Sequence, residues 1–292
     1  MNYWSIIQTI INGLLQGGTY ALLAVGTSLI YGVMRMVNFA SSAFFVVGMY
    51  LTWFAYKFLG TSIYICIIPM VIMLGALAFV VYRTSLLPII DKPRTSSIIV
   101  TVGLSFVLQN LMLVIFGATP LNIPSALQRK SILIGNFVIP WIRFIAVAAA
   151  VVLSILMSFI VTKTHYGRCL RATSENRQTT EMLGVNTKWI YTSAWTIGIV
   201  LTGLAGLLLA PLYNITPSVG GVFRSTAVIA CVLGGLGDIR GAFISGIVLG
   251  LVEALVSVFL AQELGPAGIF VLFLVALEFK PNGLFGNSER IA

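Results

Sequence analysis

Charged side chains are scarce in this chain. Only 9% of its 292 residues are Asp, Glu, Lys or Arg, whereas 59% are hydrophobic and the mean hydropathy is +1.03. A soluble domain could not cover that much apolar surface with so few charges. The apolar runs are about 20 residues long and do not alternate, which indicates membrane-spanning helices and excludes a β-barrel. We predict an all-α polytopic transmembrane bundle that forms one domain over residues 1–292.

The residues and motifs of most enzymes and metal sites are also missing. No G-x-x-x-x-G-K-[ST] phosphate loop, H-E-x-x-H motif or nucleophile elbow is present, and the only histidine, His165, lies in a basic loop. Cys66, Cys169 and Cys231 have no metal-ligand or disulfide spacing. We therefore expect no catalytic residues, no metal and no cofactor. The net charge of +9 follows from the positive-inside rule, so we expect membrane lipid and not nucleic acid as a partner.

Acidic residues are rare within the apolar segments, and Glu253 is the clearest case. It lies about midway along the run 242–261. A carboxylate at this depth costs at least about 2–3 kcal/mol, so it must face the bundle or a cavity and have a partner. It either forms a structural hydrogen bond to a neighbouring helix or has a functional role. No second carboxylate or histidine lies at a matching depth, which argues against a proton-coupled carrier.

The apolar residues fall into eight or nine candidate spans. The seventh and ninth are too short to cross a core of about 30 Å comfortably, so one of them can be re-entrant or broken. The first is long enough to contain a break near Gly17–Gly18. The segments run Trp4–Val33, Val37–Phe58, Ser62–Tyr82, Ser97–Gly117, Pro140–Thr162, Trp189–Ala210, Phe223–Gly234, Ala242–Ala261 and Ala267–Phe279.

Small residues recur every four positions in two of these segments. Residues four apart stack on one helix face, and rows of small residues let helices approach closely in a membrane. The two rows therefore predict a compact bundle and not a substrate site. They consist of Gly198, Thr202, Gly206 and Ala210, and of Ala242, Gly246, Gly250 and Ala254.

Residues 163–188 form the one substantial polar interruption. This segment reads KTHYGRCLRATSENRQTTEMLGVNTK and carries five basic and two acidic residues. Placing it in the cytoplasm puts twelve of the 17 basic residues inside, with the N-terminus outside and the C-terminus inside. Arg143 is expected to lie at the membrane interface. The remaining four basic residues fall outside: Lys57, Arg129, Lys130 and Arg224.

The same topology makes residues 118–139 an external loop. Its end, SILIGNFVIP, contains two short β-prone runs around Gly135–Asn136, which is a plausible hairpin turn. An irregular loop is the alternative.

Two short helices are predicted in the cytoplasmic segment, over Tyr166–Ala172 and Glu175–Leu183. Thr173–Ser174 can cap the second, Gly184 can end it, and Asn186 can cap the following span. The segment is either a solvated connector or a docking surface for a soluble partner.

Five stretches, in order along nearly the whole chain, make it resemble the inner-membrane permeases of high-affinity branched-chain amino acid ABC transporters, the Liv type. The resemblance implies a multi-pass protein of the bacterial inner membrane. It also implies a second permease subunit, cytoplasmic ATP-binding subunits that hydrolyse ATP, and an external substrate-binding protein. The stretches are GLLQGGTYALLAVGTSLIYGVMRMVNFA (Gly13–Ala40), GRCLRATSENRQTTEMLGVN (Gly167–Asn186), GLAGLLLAPLYNITPSVG (Gly203–Gly220), GGLGDIRGAFISGIVLGLVEAL (Gly234–Leu255) and KPNGLFG (Lys280–Gly286).

The resemblance also suggests site residues. Residues 163–188 match the ATPase-contacting segment of the family. The family often has N-F-A-H-G-E after the first span, whereas this chain has Asn38 followed by FASSA, without the histidine and the acid. Glycine- and proline-rich segments that interrupt helices can expose backbone dipoles to a zwitterionic substrate. The coupling candidates are Arg168, Arg171, Glu175, Asn176, Glu181 and Gly184, and the translocation-path candidates are Asn38, Ser41, Ser42, Tyr213, Asn214 and Thr216.

The expected function is that of a permease subunit in an ATP-driven importer of branched-chain or related amino acids. The alternatives are a permease for urea or amides in the same class, or a stand-alone secondary carrier. A secondary carrier would need its own coupling site, for which only Glu253 is available.

Overall fold

The computed structural model describes residues 3–60, 63, 65–124, 131–134, 137–281 and 283–285. Within these ranges the chain is almost entirely helical. A π-helical turn and a 3₁₀ turn extend α3 to Ile89, and a further 3₁₀ turn, Gln262–Leu264, precedes α11. The helices are α1 (Tyr3–Met34), α2 (Ser41–Leu59), α3 (Ile67–Val81), α4 (Arg94–Phe116), α5 (Trp141–Lys163), α6 (His165–Glu175), α7 (Arg177–Met182), α8 (Thr187–Leu209), α9 (Gly220–Gly234), α10 (Ile239–Phe259) and α11 (Gly265–Phe279).

Eight helices in the described part of the chain are long and apolar enough to cross a membrane. They are α1, α2, α3 with its extension, α4, α5, α8, α10, and α11 with its preceding turn. α9 has only 15 residues, which at 1.5 Å per residue is about 22 Å and short of the bilayer core. The prediction of a helical bundle with eight to nine spans is confirmed, and α9 is the short one. The ninth predicted segment is long enough because the Gln262–Leu264 turn adds to it.

The row of small residues on α10 packs directly on α1. A Cβ atom added to Gly17 would lie 2.6 Å from Ile247 Cα, and one added to Gly250 would overlap the backbone of Gly17. Two helices can approach this closely only where side chains are absent. The predicted break at Gly17–Gly18 is wrong, since α1 runs unbroken from Tyr3 to Met34. These glycines instead make room for neighbouring helices, Gly17 for α10 and Gly18 for Val147 of α5.

The row of small residues on α8 has the same role toward α1 and α2. A Cβ atom on Gly198 would lie 2.8 Å from the Gly26 carbonyl oxygen, and one on Gly206 would overlap the Phe45 carbonyl. Phe44 and Phe45 of α2 are fully buried beside these contacts. Both rows therefore pack helices at the centre of the bundle, as predicted.

The segments predicted to be external and cytoplasmic lie at opposite ends of the bundle. At one end, Leu121 forms an isolated β-bridge with Ile215, the residue between α8 and α9 that follows Asn214. At the other end, Arg177 of α7 forms an ion pair with Asp91, which precedes α4. Each of these two contacts joins loops that are predicted to lie on the same side of the membrane. Which end faces the cytoplasm stays a prediction.

The external segment ends in a β-hairpin. Strand β1 (Ser131–Ile134) pairs antiparallel with β2 (Phe137–Pro140), with Ile134 opposite Phe137. The hairpin is therefore favoured over the irregular loop. The predicted turn residues Gly135–Asn136 lie outside the described residues.

The segment predicted to be cytoplasmic contains two helices, as predicted, but they divide at a different residue. Thr173 lies within α6, where its hydroxyl donates to the Cys169 carbonyl at 2.7 Å. Asn176, and not Thr173–Ser174, caps α7, because its side chain accepts the Thr179 N–H at 3.1 Å. Gly184 ends the segment at φ +83°, and Asn186 caps α8 through the Trp189 N–H, both as predicted.

Candidate coupling segment and transport path

The coupling segment, which we define as residues 165–185, is anchored to the bundle through α6. Thr164 caps α6 by accepting the Gly167 N–H, and the Tyr166 hydroxyl lies 2.7 Å from Ser193 Oγ of α8. Leu170 and Thr173 are buried beneath the helix. α6 is therefore fixed to the membrane helices, and α7 extends from it.

Arg177 connects α7 to two other parts of the bundle. Its guanidinium forms ion pairs with Asp91 and, through Nε at 3.0 Å, with Glu181. It also lies 5.8 Å from the ring centroid of Tyr191 on α8. Glu181 in turn accepts a hydrogen bond from the Thr187 hydroxyl at the start of α8. The Thr187 hydroxyl and the Arg177 guanidinium hold the pKa of the Glu181 carboxyl below its usual range.

Two large apolar side chains project from the end of α7. Met182 is 86% exposed and Leu183 is 77% exposed, although they lie in the most polar part of the sequence. An exposed apolar pair surrounded by polar residues is typical of a protein-binding surface. We call Met182 and Leu183 the apolar tip. The sequence analysis did not single them out, because two apolar residues in an amphipathic segment look like ordinary packing.

The predicted coupling residues lie on α6, on α7 and at the ends of these helices, and they differ in what they do. Arg168 and Glu175 are exposed on α6, and Arg171 donates to the Val161 carbonyl at the end of α5. Asn176 caps α7, Glu181 pairs with Arg177, and Gly184 provides the turn after the tip. Several of these residues therefore have structural roles that hold the tip in place. Sequence reasoning missed Arg177 as a connecting residue, and its i,i+4 spacing to Glu181 is the signal that could have indicated it.

Non-helical backbone lies on both sides of α9. Residues 210–219 connect α8 to α9 without a regular helix, and residues 35–40 connect α1 to α2 in the same way. Asn38 in the second connection lines a small pocket with Val228 and Cys231 of α9. At membrane depth, irregular backbone is tolerated only when protein covers it or when it lines a water-filled cavity. The surroundings of α9 are therefore the place in this fold where a polar path can run.

The intramembrane acid and one path candidate belong to a single hydrogen-bond network. The Tyr20 hydroxyl donates to Glu253 Oε2 at 2.6 Å, and Gln16 Nε2 donates to the Tyr20 hydroxyl at 3.0 Å. Gln16 Nε2 also lies 3.0 Å from the Tyr213 hydroxyl. Glu253 therefore has its expected partner on a neighbouring helix, α1. The network extends from α10 across α1 to the segment before α9.

The ring of Phe223 holds this region together. Its centroid lies 6.0 Å from that of Tyr20, 5.4 Å from that of Tyr213 and 4.8 Å from that of Phe45. The first turn of α9 is thus packed against both α1 and α2. Tyr213 is positioned by the Gln16 hydrogen bond on one side and by this ring on the other.

The remaining path candidates separate into different environments. Asn38 is 4% exposed, and its Oδ1 accepts the Ala40 N–H at 2.9 Å, while the Ser41 hydroxyl donates to the Asn38 carbonyl. These two residues shape the turn before α2. Asn214 is exposed, and Thr216 Oγ1 lies 3.4 Å from Ser218 Oγ. The structure therefore does not bring all six candidates into one pocket.

Ser42 is the path candidate with a charged partner. Its hydroxyl accepts a hydrogen bond from Arg224 Nε at 3.2 Å. Both residues line a pocket between α2, α4 and α9, together with Gln109 of α4 and Pro217. Arg224 was expected on the external side, and it lies in the second turn of α9, with Ser42 as its partner. Counting charges along the sequence could not identify this partner, because Ser42 is 182 positions away in the chain.

A Glu253→Gln substitution tests whether the carboxylate serves structure alone. Glutamine keeps an oxygen that can accept from the Tyr20 hydroxyl, so we expect transport and thermal stability close to wild type. Glu253→Leu removes the acceptor of the Tyr20 O–H, and we expect it to lower the free energy of unfolding by about 1–3 kcal/mol. Transport in vesicles and thermal unfolding of the purified protein measure the two effects. Loss of transport by Glu253→Gln with unchanged stability would show that the negative charge itself is needed.

These features define a class of protein: a polytopic helical transport permease, with its largest polar segment at one end of the bundle. The chain belongs to the family described as branched-chain amino acid transport system / permease component, whose model matches residues 9–277. Its family and its apolar helices make it a multi-pass transport subunit of the bacterial inner membrane.

Several known proteins are similar to the chain. The high-affinity branched-chain amino acid transport system permease protein LivH of Salmonella typhimurium is 29% identical over 303 residues, with 97% of this chain and 96% of the relative covered. Its counterpart BraD of Pseudomonas aeruginosa is 27% identical over 296 residues with the same coverage. The autoinducer 2 import system permease protein LsrC of Escherichia coli is 30% identical over 163 residues, which are 54% of this chain and 45% of the relative.

Proposed function

We propose that the chain is a permease subunit of an ATP-driven importer for branched-chain or related amino acids. Its proposed partners are a second permease subunit, cytoplasmic ATP-binding subunits and an external substrate-binding protein. The substrate class follows from the full-length relatives, which are named as branched-chain amino acid permeases. The observation that carries the proposal is the apolar tip, which is an exposed apolar pair on the polar segment of a chain whose sequence has no phosphate loop of its own.

The tip is suited to transmit movement from an ATP-binding subunit. A soluble partner that covers Met182 and Leu183 would hold α7 by its end. Arg177 joins α7 to Asp91, ahead of α4, and its guanidinium lies against Tyr191 of α8. A displacement of α7 would therefore reach two membrane-spanning elements at once. This is the physical basis on which we assign coupling to residues 165–185.

The proposed path runs beside α9. Ser42, Tyr213, Asn214 and Thr216 supply hydroxyl and amide groups around the first turn of this helix, and Asn38 and Ser41 lie beside the connection to α2. Weakly polar groups suit a path, because conduction requires contacts strong enough to admit a substrate and weak enough to release it.

Co-expression with ATP-binding subunits and a substrate-binding protein of the same transporter tests the subunit assignment. We expect the permease to purify with its ATP-binding subunits, and we expect the ATPase rate of that complex to rise when substrate-loaded binding protein is added. A permease that purifies free of ATP-binding subunits under conditions that preserve its fold would contradict the assignment.

A further inference from the structure

Arg224 is an arginine within the bundle. It shares a pocket with Gln109, which lies seven residues before the end of α4 at Phe116. At 1.5 Å per residue this is about 10 Å below the end of that helix. Ser42, its hydrogen-bond partner, is 3% exposed. The Arg224 guanidinium is thus held against a buried hydroxyl, below the outer ends of the helices.

The charge of Arg224 has no acidic partner among the described residues. The ion pairs found there are both made by Arg177, and the one hydrogen bond of the Arg224 side chain is that from Nε to Ser42. The acid of the bundle, Glu253, is occupied by Tyr20 and lines a different cavity, between α1, α5 and α10. A cation at membrane depth without a counter-charge is costly, and such residues mark the routes of substrates and ions. A negative group from outside the chain would satisfy it.

The pocket can present polar groups to such a ligand at its mouth, since its interior of about 10 Å³ has room for only about one water molecule. Gln109 contributes an amide, Ser42 a hydroxyl and Arg224 its two terminal guanidinium nitrogens, which Ser42 does not use. No atom lies within 4 Å of the position that a Cβ atom on Gly221 would take, so the mouth of the pocket is open beside the helix. Guanidinium groups bind carboxylates in a two-point geometry that a single ammonium cannot reproduce.

We propose that the Arg224–Ser42–Gln109 pocket binds the carboxylate of the zwitterionic substrate during its passage through the permease. The inference rests on the proposed function and names the first carboxylate contact within the bundle. A single cation without an acid beside it holds the carboxylate end only. This contact therefore orients the substrate but binds it weakly enough to release it, as transport requires.

The test uses the complete assembly in vesicles, with ATP and leucine-loaded binding protein, and measures leucine uptake and ATP hydrolysis together. We expect Arg224→Gln to reduce leucine moved per ATP by about tenfold or more, because a charge-assisted hydrogen-bond pair is lost. ATP hydrolysis stimulated by the binding protein should stay within about twofold of wild type. Arg224→Lys keeps the charge but loses the two-point geometry, so it should recover the uptake only in part. Arg143→Gln, a partly buried arginine that lines the other cavity, is the matched control and should leave both rates unchanged.

Three results would overturn the carboxylate assignment. The first is wild-type uptake per ATP by Arg224→Gln. The second is a loss that appears only in vesicles containing anionic phosphatidylglycerol and not in pure phosphatidylcholine, which would mean that Arg224 binds an anionic lipid headgroup. The third is loss of the second permease from purified Arg224→Gln complexes, which would mean that Arg224 pairs with that subunit. Absence of ATP-driven uptake by the wild-type assembly would refute the proposed function itself and the inference with it.

Discussion

Replacing both Met182 and Leu183 by aspartate is expected to separate the permease from its ATP-binding subunits and to abolish ATP-driven uptake. The two side chains are 86% and 77% exposed, so this chain does not bury them, and we expect a partner to cover them. Covering two such side chains is worth roughly 3 kcal/mol or more, which is at least about a hundredfold in affinity. An aspartate at each position adds the cost of desolvating a charge. The amount of ATP-binding subunit that purifies with the permease measures the effect.

A matched substitution separates this effect from a general effect of negative charge. His165→Asp adds one negative charge, against two in the double variant, to the exposed first turn of α6, far along the segment from the apolar tip. We expect that variant to keep its ATP-binding subunits. Thermal unfolding of the double aspartate variant should match wild type, since no buried contact changes. Retention of the ATP-binding subunits by the double variant would show that the apolar tip is not the docking surface.

Gly250→Val is expected to destabilise the bundle more than any other single change discussed above. A side chain at this position would run into the backbone nitrogen and Cα of Gly17, and neither backbone can yield without moving a whole helix. Overpacking of well-packed sites costs about 1–3 kcal/mol, and backbone contacts lie at the upper end. We expect a lower unfolding temperature and a smaller monodisperse fraction in size-exclusion chromatography.

Gly103→Val is the control for this prediction. Gly103 lies midway along α4, and no atom is found within 4 Å of the position that its Cβ would occupy. The same valine should be tolerated there, because only the surroundings differ. Equal losses of stability at both positions would mean that valine in a membrane helix, and not the α1–α10 contact, is responsible.

The helices and the coupling segment could be predicted because their signals are local. Long apolar runs indicate the spanning helices, and Gly184 and Asn186 end or cap helices within a few residues of their own positions. The spacing of the small residues alone indicates close packing. The boundary between α6 and α7 was harder to predict. Thr173–Ser174 looked like a cap, but Asn176 is the residue whose extended backbone lets its side chain reach the Thr179 N–H. Competing cap residues three positions apart cannot be ranked without that backbone.

The candidate site was only partly predictable because its contacts join distant segments. Arg177 meets Asp91 across 86 positions, and Glu253 meets Tyr20 across 233. Nothing in the sequence pairs these residues. Arg224 was expected on the external side, but its contact with Ser42, 182 positions away in the chain, could not be predicted. The predicted break at Gly17–Gly18 was wrong for a related reason. Whether a glycine interrupts a helix or makes room for a neighbouring helix depends on which helix faces it.

Leucine uptake into vesicles that contain the permease assembly tests the central claim most directly, which is that this chain moves an amino acid with energy supplied by other subunits. We expect uptake against a gradient only when the ATP-binding subunits, ATP and loaded binding protein are all present, and none when any one is omitted. Concentrative uptake by vesicles that contain this chain alone, without ATP, would contradict the proposed function.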